Sequence, residues 1–170
     1  DFNPADAEKG EALAAEIREL IRTQRHEEAM EKLDDLVALD PKRYGPYAAY
    51  KFGYLLTTKG DRPAAYAYAK QAMTGPVKDN ANALSSIAWT ILTDKDTSTR
   101  QLDVAMDLSK RAAELSKRQD ASILDTLARA FFETGDVHAA IQTQKQAIAV
   151  AKPAERKDLE ATLSRYEQAQ

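Results

Sequence analysis

The chain has 170 residues, of which 44% are apolar and 30% charged, with six glycines, six prolines and no cysteine. This composition supports one packed domain and excludes disordered chains, collagen-like fibres, disulfides and zinc–thiolate sites. The net charge of −3 is evenly mixed, so no basic stripe indicates a nucleic-acid partner. No apolar run approaches the ~20 residues that span a bilayer, so we expect no membrane insertion.

Helix-forming residues dominate the chain, and β-branched residues never form alternating runs. We therefore predict an all-α fold with about nine helices. Asn3 and Pro4 have the character of an N-cap and a first helical residue, so a long first helix is predicted through Ile21. A closing helix is predicted over 154–168, with apolar residues on one face and charged residues elsewhere.

Between these two helices the sequence repeats itself. The segment from Phe52 matches the segment from Leu127 at a constant offset, and a looser copy begins at Ile87. A weaker copy comes first. The predicted organisation is one domain over 1–170, in which 1–45 is a degenerate first repeat, 46–80, 81–120 and 121–154 are repeats, and 154–170 is the closing helix.

Each copy is predicted to be two amphipathic helices joined by a turn. Gly60 and Gly135 are suited to end the first helix in the left-handed conformation, and Asp61 and Asp136 to cap the second. Small residues at aligned positions are predicted to let the two helices approach closely. They are Gly53, Ala88 and Ala128 on the first helices and Ala65, Ala105 and Ala140 on the second.

These residues resemble the tetratricopeptide repeat family, whose pattern contains an aromatic residue, Leu-Gly, a tyrosine, later alanines and a closing proline. The resemblance covers 46–154 well and 8–45 weakly, and it implies a right-handed α-solenoid of antiparallel helix pairs. An ordinary bundle of antiparallel helices is the alternative. The chain departs from the family at two slots: the aromatic slot holds Ala49, Leu84 and Leu124, and a later phenylalanine slot holds Ala69, Ser109 and Gln144.

The resemblance also implies that the first helix of each pair lines a concave groove that binds a protein or peptide. The candidate groove residues are Tyr47, Tyr50, Tyr54, Asn82, Ser85, Trp89, Ser122, Asp125, Arg129 and Phe132. Aromatic residues with polar tips are favoured at such surfaces, although they also pack against neighbouring helices. We therefore expect a non-catalytic interaction module; the alternative is a structural spacer or dimerisation module of a parent enzyme.

No group of residues indicates catalysis, a cofactor or a metal. Each of the two histidines, His26 and His138, follows a predicted turn, where an exposed imidazole is ordinary, and has no second ligand at a useful spacing. The polar loop Asp94–Arg100 lacks the glycine and the closing glutamate of a calcium loop. It is better interpreted as a contact for a partner or a neighbouring domain. We expect that the chain is not an enzyme.

The span from Ile87 to Ala151 resembles the C-terminal helical part of certain bacterial redoxin (thioredoxin-like) proteins. This resemblance implies an upstream redoxin domain and, in that case, an exported or periplasmic location; the residues alone leave the compartment undetermined. The chain contains no Cys-x-x-Cys, so redox activity carries over to none of its residues.

Overall fold

A computed structural model describes residues 4–169, and over these residues the chain is helical, without strands. The prediction of an all-α fold is confirmed. The ten α-helices of this part of the chain are α1 (Pro4–Arg22), α2 (His26–Leu39), α3 (Pro41–Tyr44), α4 (Pro46–Gly53), α5 (Arg62–Ala72), α6 (Ala81–Leu92), α7 (Leu102–Leu115), α8 (Ala121–Glu133), α9 (Val137–Val150) and α10 (Pro153–Glu167). A π-helical turn, Tyr54–Thr58, follows α4, and a 3-10 turn, Thr97–Thr99, precedes α7.

The helix count exceeds the predicted nine because a short helix, α3, forms between α2 and α4, with Asp40 accepting hydrogen bonds from its first backbone N–H groups. Pro46 has no N–H to continue the hydrogen-bonding of α3, and it begins a new helix instead. The predicted ends of the long helices agree closely with α1 and α10. The predicted N-cap, Asn3, lies outside the described residues.

The chain divides after Ala83 into two compact units. In the first unit α1 packs against α2, α2 also contacts α3 and α4, and α4 packs against α5. In the second unit α8 packs against both α7 and α9, and α10 packs against α9. Each unit has its own apolar core, since the fully buried side chains include Ile17, Leu33, Leu36 and Phe52 in the first and Leu108, Leu124, Leu127 and Tyr166 in the second.

The two Gly-Asp turns form as predicted. Gly60 and Gly135 have φ values of +71° and +89°, a conformation that glycine adopts without steric cost. Asp61 and Asp136 each accept a hydrogen bond from the backbone N–H three residues later, at 3.0 and 2.9 Å. One helix therefore ends and the next begins by the same local chemistry at two places in the chain.

Aligned positions of the three copies also share their burial. The alanine and phenylalanine slots of the second helices are all buried: Ala65, Ala105 and Ala140 in one set and Ala69, Ser109 and Gln144 in the other. Gly53 differs, because a Cβ built there would meet no atom within 4 Å. The prediction of close helix contact at Gly53 is wrong, since the buried row of its helix consists of Ala48, Phe52 and Leu56, one position away.

Arg100, at the C-terminal end of the loop Asp94–Arg100, binds the loop to neighbouring residues of the second unit. Arg100 donates to the backbone oxygen of Leu92 at 2.7 Å and to the carboxylate of Glu133 at 3.0 Å. Its side chain is 10% exposed and that of Glu133 20% exposed. This ion pair gives Arg100 a structural role, while the contact of the remaining loop with a partner stays a prediction.

Candidate functional site

The ten candidate groove residues fall in different units. Tyr47, Tyr50, Tyr54 and Asn82 belong to the first unit, whereas Ser85, Trp89, Ser122, Asp125, Arg129 and Phe132 belong to the second.

The first-unit tyrosines do not share one role. Tyr50 is 42% exposed, whereas Tyr47 and Tyr54 are partly buried. Tyr54 stacks on His26 with ring centroids 5.6 Å apart, and its hydroxyl donates to Glu27 at 3.1 Å. Packing therefore accounts for Tyr54. The expectation of an exposed imidazole is wrong for His26, which is partly buried by this stack.

In the second unit a cleft of about 620 Å³ lies between three helices, α6, α8 and α10. Each of these helices is the first of a predicted pair or the closing helix. The cleft is lined by Ser85, Ser86, Trp89 and Thr90 from α6, by Ala121, Ser122, Asp125 and Thr126 from α8, and by Ala154, Glu155, Asp158 and Leu159 from α10. The structure thus brings together four of the candidates: Ser85, Trp89, Ser122 and Asp125.

Trp89 is the large apolar side chain of the cleft lining that is exposed, and its relative exposure is 40%. The guanidinium of Arg129 lies 5.3 Å from the centre of its ring, within the range of a cation–π contact. Arg129 is also ion-paired with Glu133 at 3.4 Å. These two contacts hold Arg129 in one position, so that it supports one side of Trp89 and leaves the rest of the indole accessible.

Asp125 is the most buried carboxylate of the cleft lining. Its Oδ1 accepts a hydrogen bond from Nε2 of Gln144 at 2.7 Å, and the same amide donates to the backbone oxygen of Leu159 at 3.1 Å. Burial raises the pKa of Asp125 above its ordinary value, partly offset by the Gln144 hydrogen bond and the positive charge of Arg129. Gln144 is fully buried, so it fixes the position of Asp125 from below the cleft surface.

Phe132 does not line the cleft. Its ring stacks on the fully buried Tyr166 with centroids 4.5 Å apart and planes at 23°. Arg165 covers this pair, 6.0 Å from the centre of Phe132 and 5.3 Å from that of Tyr166. Phe132 therefore packs α8 against α10, and its part in a binding surface stays a prediction.

Two groups of site residues were missed by sequence reasoning. The α10 residues Glu155, Asp158 and Leu159 line the cleft, although this helix was expected only to close the array. Their spacing of three and four residues was the available signal, because it places them on one face of a helix. Gln144 was noted only as a departure from the family pattern, and a polar residue in a buried slot was the signal there.

Within residues 4–169 no three His, Cys, Asp or Glu side chains are placed to share a metal ion. No helix of that range has the length and apolar character needed to cross a membrane. Neither a protein-family model nor a curated protein matches the chain.

Proposed function

We propose that this chain is a non-catalytic interaction module, and that the cleft between α6, α8 and α10 binds an extended segment of another protein. The observation that carries this proposal is the half-exposed indole of Trp89 in a cleft of peptide-accommodating volume, about 620 Å³. Tryptophan contributes heavily to binding energy at the centres of protein interfaces because it buries a large rigid surface.

The tetratricopeptide-like arrangement, a right-handed α-solenoid of helix pairs, is part of the same proposal. It is supported by the repeated Gly-Asp turns and by the matching burial of aligned small residues. It is further supported by the cleft itself, since α6 and α8, two of the three helices that line it, are first helices of predicted pairs and are expected to face a groove. Membership of a larger, exported thioredoxin-related protein is proposed on the resemblance of 87–151 alone.

The non-catalytic character is supported by the chemistry of the cleft lining. Neither His26 nor His138 belongs to it. The hydroxyl of Ser122 donates at 2.7 Å to Asp120, whose carboxylate also caps the backbone N–H groups at the start of α8. The lining thus offers surface and charge for binding.

The proposal is tested by panning the whole chain against a phage-displayed library of random twelve-residue peptides. Selected peptides should bind wild-type protein and lose at least about tenfold in affinity with Trp89→Ala, the loss typical of an interface anchor. Tyr50→Ala is the matched control, because Tyr50 has nearly the same exposed fraction but lies in the first unit. Absence of any selected peptide, or equal loss in both variants, would contradict the proposal.

Analytical ultracentrifugation of the same variants distinguishes the alternative, a spacer or dimerisation module, from the peptide-binding proposal. If Trp89 contacts a second copy of the chain, Trp89→Ala should halve the mass in solution. Under the peptide-binding proposal the mass of wild type and variant is the same.

A further inference from the structure

We propose that the segment bound in the cleft is basic, with a lysine or arginine side chain placed against Asp125 and Asp158 beside the indole of Trp89. This inference rests on the proposed function, because it names the chemistry of the partner that the cleft accepts.

The cleft lining is acidic. Asp125, Glu155 and Asp158 line the cleft, and among the described residues no lysine or arginine does. The chain as a whole is nearly balanced, with 27 acidic and 24 basic residues. The excess of carboxylates is therefore a local property of this surface, and a concave surface lined by one sign of charge attracts ligands of the opposite sign.

None of these three carboxylates forms a direct ion pair with the described residues, although the charges of Arg129 and Arg165 act on Asp125 from farther away. Asp158 is exposed and takes part in no hydrogen bond or ion pair with the described residues. Asp125 accepts its hydrogen bond from the neutral amide of Gln144. Glu155 binds the backbone N–H of Lys152 at the start of its own helix. By contrast, Asp34 and Glu133 elsewhere in the chain each bind a lysine or arginine directly.

Two arginines on the helices that line the cleft, Arg129 of α8 and Arg165 of α10, are held by contacts within the second unit. Arg129 is stacked on Trp89 and ion-paired with Glu133, which also binds Arg100. Arg165 lies over the rings of Phe132 and Tyr166. Both guanidinium groups are therefore occupied in contacts within the second unit. An anionic ligand would have to displace these contacts, whereas a cationic ligand meets the exposed carboxylates of Glu155 and Asp158, which have no ion pair with the described residues.

The inference is tested with three capped nonapeptides that share one alanine and leucine background and differ only in carrying three lysines, three glutamines or three glutamates. Trp89 is the only tryptophan of the chain, so its fluorescence emission reports occupancy of this cleft during titration of the whole protein. The lysine peptide should bind at least about tenfold more tightly than the glutamine peptide, and the glutamate peptide most weakly. Raising salt from about 0.05 to about 0.5 M should weaken the lysine complex.

Variants test which carboxylates cause the preference for the lysine peptide. The double variant Asp125→Asn/Asp158→Asn should reduce the preference for lysine over glutamine by about threefold to fivefold per charge removed. Glu160→Gln is the matched control, since it removes an exposed carboxylate from the same helix outside the cleft lining. It should leave the preference unchanged. An equal effect of Glu160→Gln would reduce the selection to overall charge and overturn the inference.

The outcomes separate this inference from the proposed function. If the glutamine or glutamate peptide binds as tightly as the lysine peptide, the partner is not basic, while the peptide cleft stands. If none of the three changes the emission of Trp89 but a phage-selected peptide does, the inference alone fails. If the phage-selected peptides also leave the emission of Trp89 unchanged, both the inference and the proposed function fail.

Discussion

Replacing Gln144 by leucine should destabilise the second unit, because this buried amide joins three helices. Its Nε2 donates from α9 to Asp125 of α8 at 2.7 Å and to the backbone oxygen of Leu159 of α10 at 3.1 Å. A hydrogen bond to a charged acceptor contributes about 2 kcal/mol and one to a neutral carbonyl about 1 kcal/mol.

One feature of the wild-type side chain reduces this loss. Oε1 of Gln144 is buried and has no hydrogen-bond partner among the described residues. Leucine removes that polar atom, which recovers about 1 kcal/mol of its desolvation cost. The expected net decrease in the free energy of unfolding is therefore about 2 kcal/mol. For a chain of this length that corresponds to a fall in Tm of at least about 4 °C.

The measurement is thermal unfolding followed by circular dichroism, with urea unfolding as a second estimate of the free energy. Gln142→Leu is the matched control, since Gln142 is an exposed glutamine on the same helix; its effect should stay below about 0.5 kcal/mol. A double-mutant cycle with Asp125→Asn should show coupling between the two sites. An unchanged or raised Tm for Gln144→Leu would refute the assignment of Gln144 as the link between these helices.

Three further predictions concern stability. Burial raises the pKa of Asp125, so its ionised carboxylate opposes folding above that raised pKa. Asp125→Asn should therefore raise Tm at pH 7. This gain in Tm should disappear as the pH falls from the raised pKa to the ordinary value of 3.8. Ala140→Leu should overpack a fully buried site and lower the free energy of unfolding, measured with urea, by about 1–3 kcal/mol. Ala149→Leu, at an exposed position of the same helix, should not lower it. Arg100→Met should remove the shorter of the two ion pairs of Glu133 and lower the free energy of unfolding by about 2 kcal/mol, less than for a fully buried pair because both side chains are partly exposed. An unchanged urea midpoint would contradict the role assigned to that ion pair.

Local chemistry made most of the secondary structure predictable. The Gly-Asp turns could be recognised because a left-handed glycine and an N-capping aspartate act on their immediate neighbours. The boundary at Pro46 agrees with the predicted start of the repeat 46–80, but the short helix α3 was missed, although its N-cap Asp40 and its first residue Pro41 also act locally. Its signal is weaker, since proline is compatible with the first turn of a helix and so marks either a start or a boundary.

The candidate site was predicted only in part, and the differences have one cause. Tyr54 and Phe132 were placed on the outward side of their helices, yet each stacks on a ring that is distant in the sequence, His26 and Tyr166 respectively. Helical spacing indicates which direction a side chain takes from its own helix. It carries no information about which distant side chain lies there, so the division between packing and exposed aromatics required the tertiary structure.

The short turns of the second unit have a consequence for the rate at which it folds. Its packed helix pairs α7–α8, α8–α9 and α9–α10 are all neighbours in sequence, so each pairing closes a loop of only a few residues. A chain dominated by such near-neighbour contacts has a low contact order and folds in about milliseconds or less. The α8–α9 pair, with the left-handed Gly135 and the capping Asp136 between its helices, is the natural nucleus, so weakening that turn should slow refolding more than it accelerates unfolding.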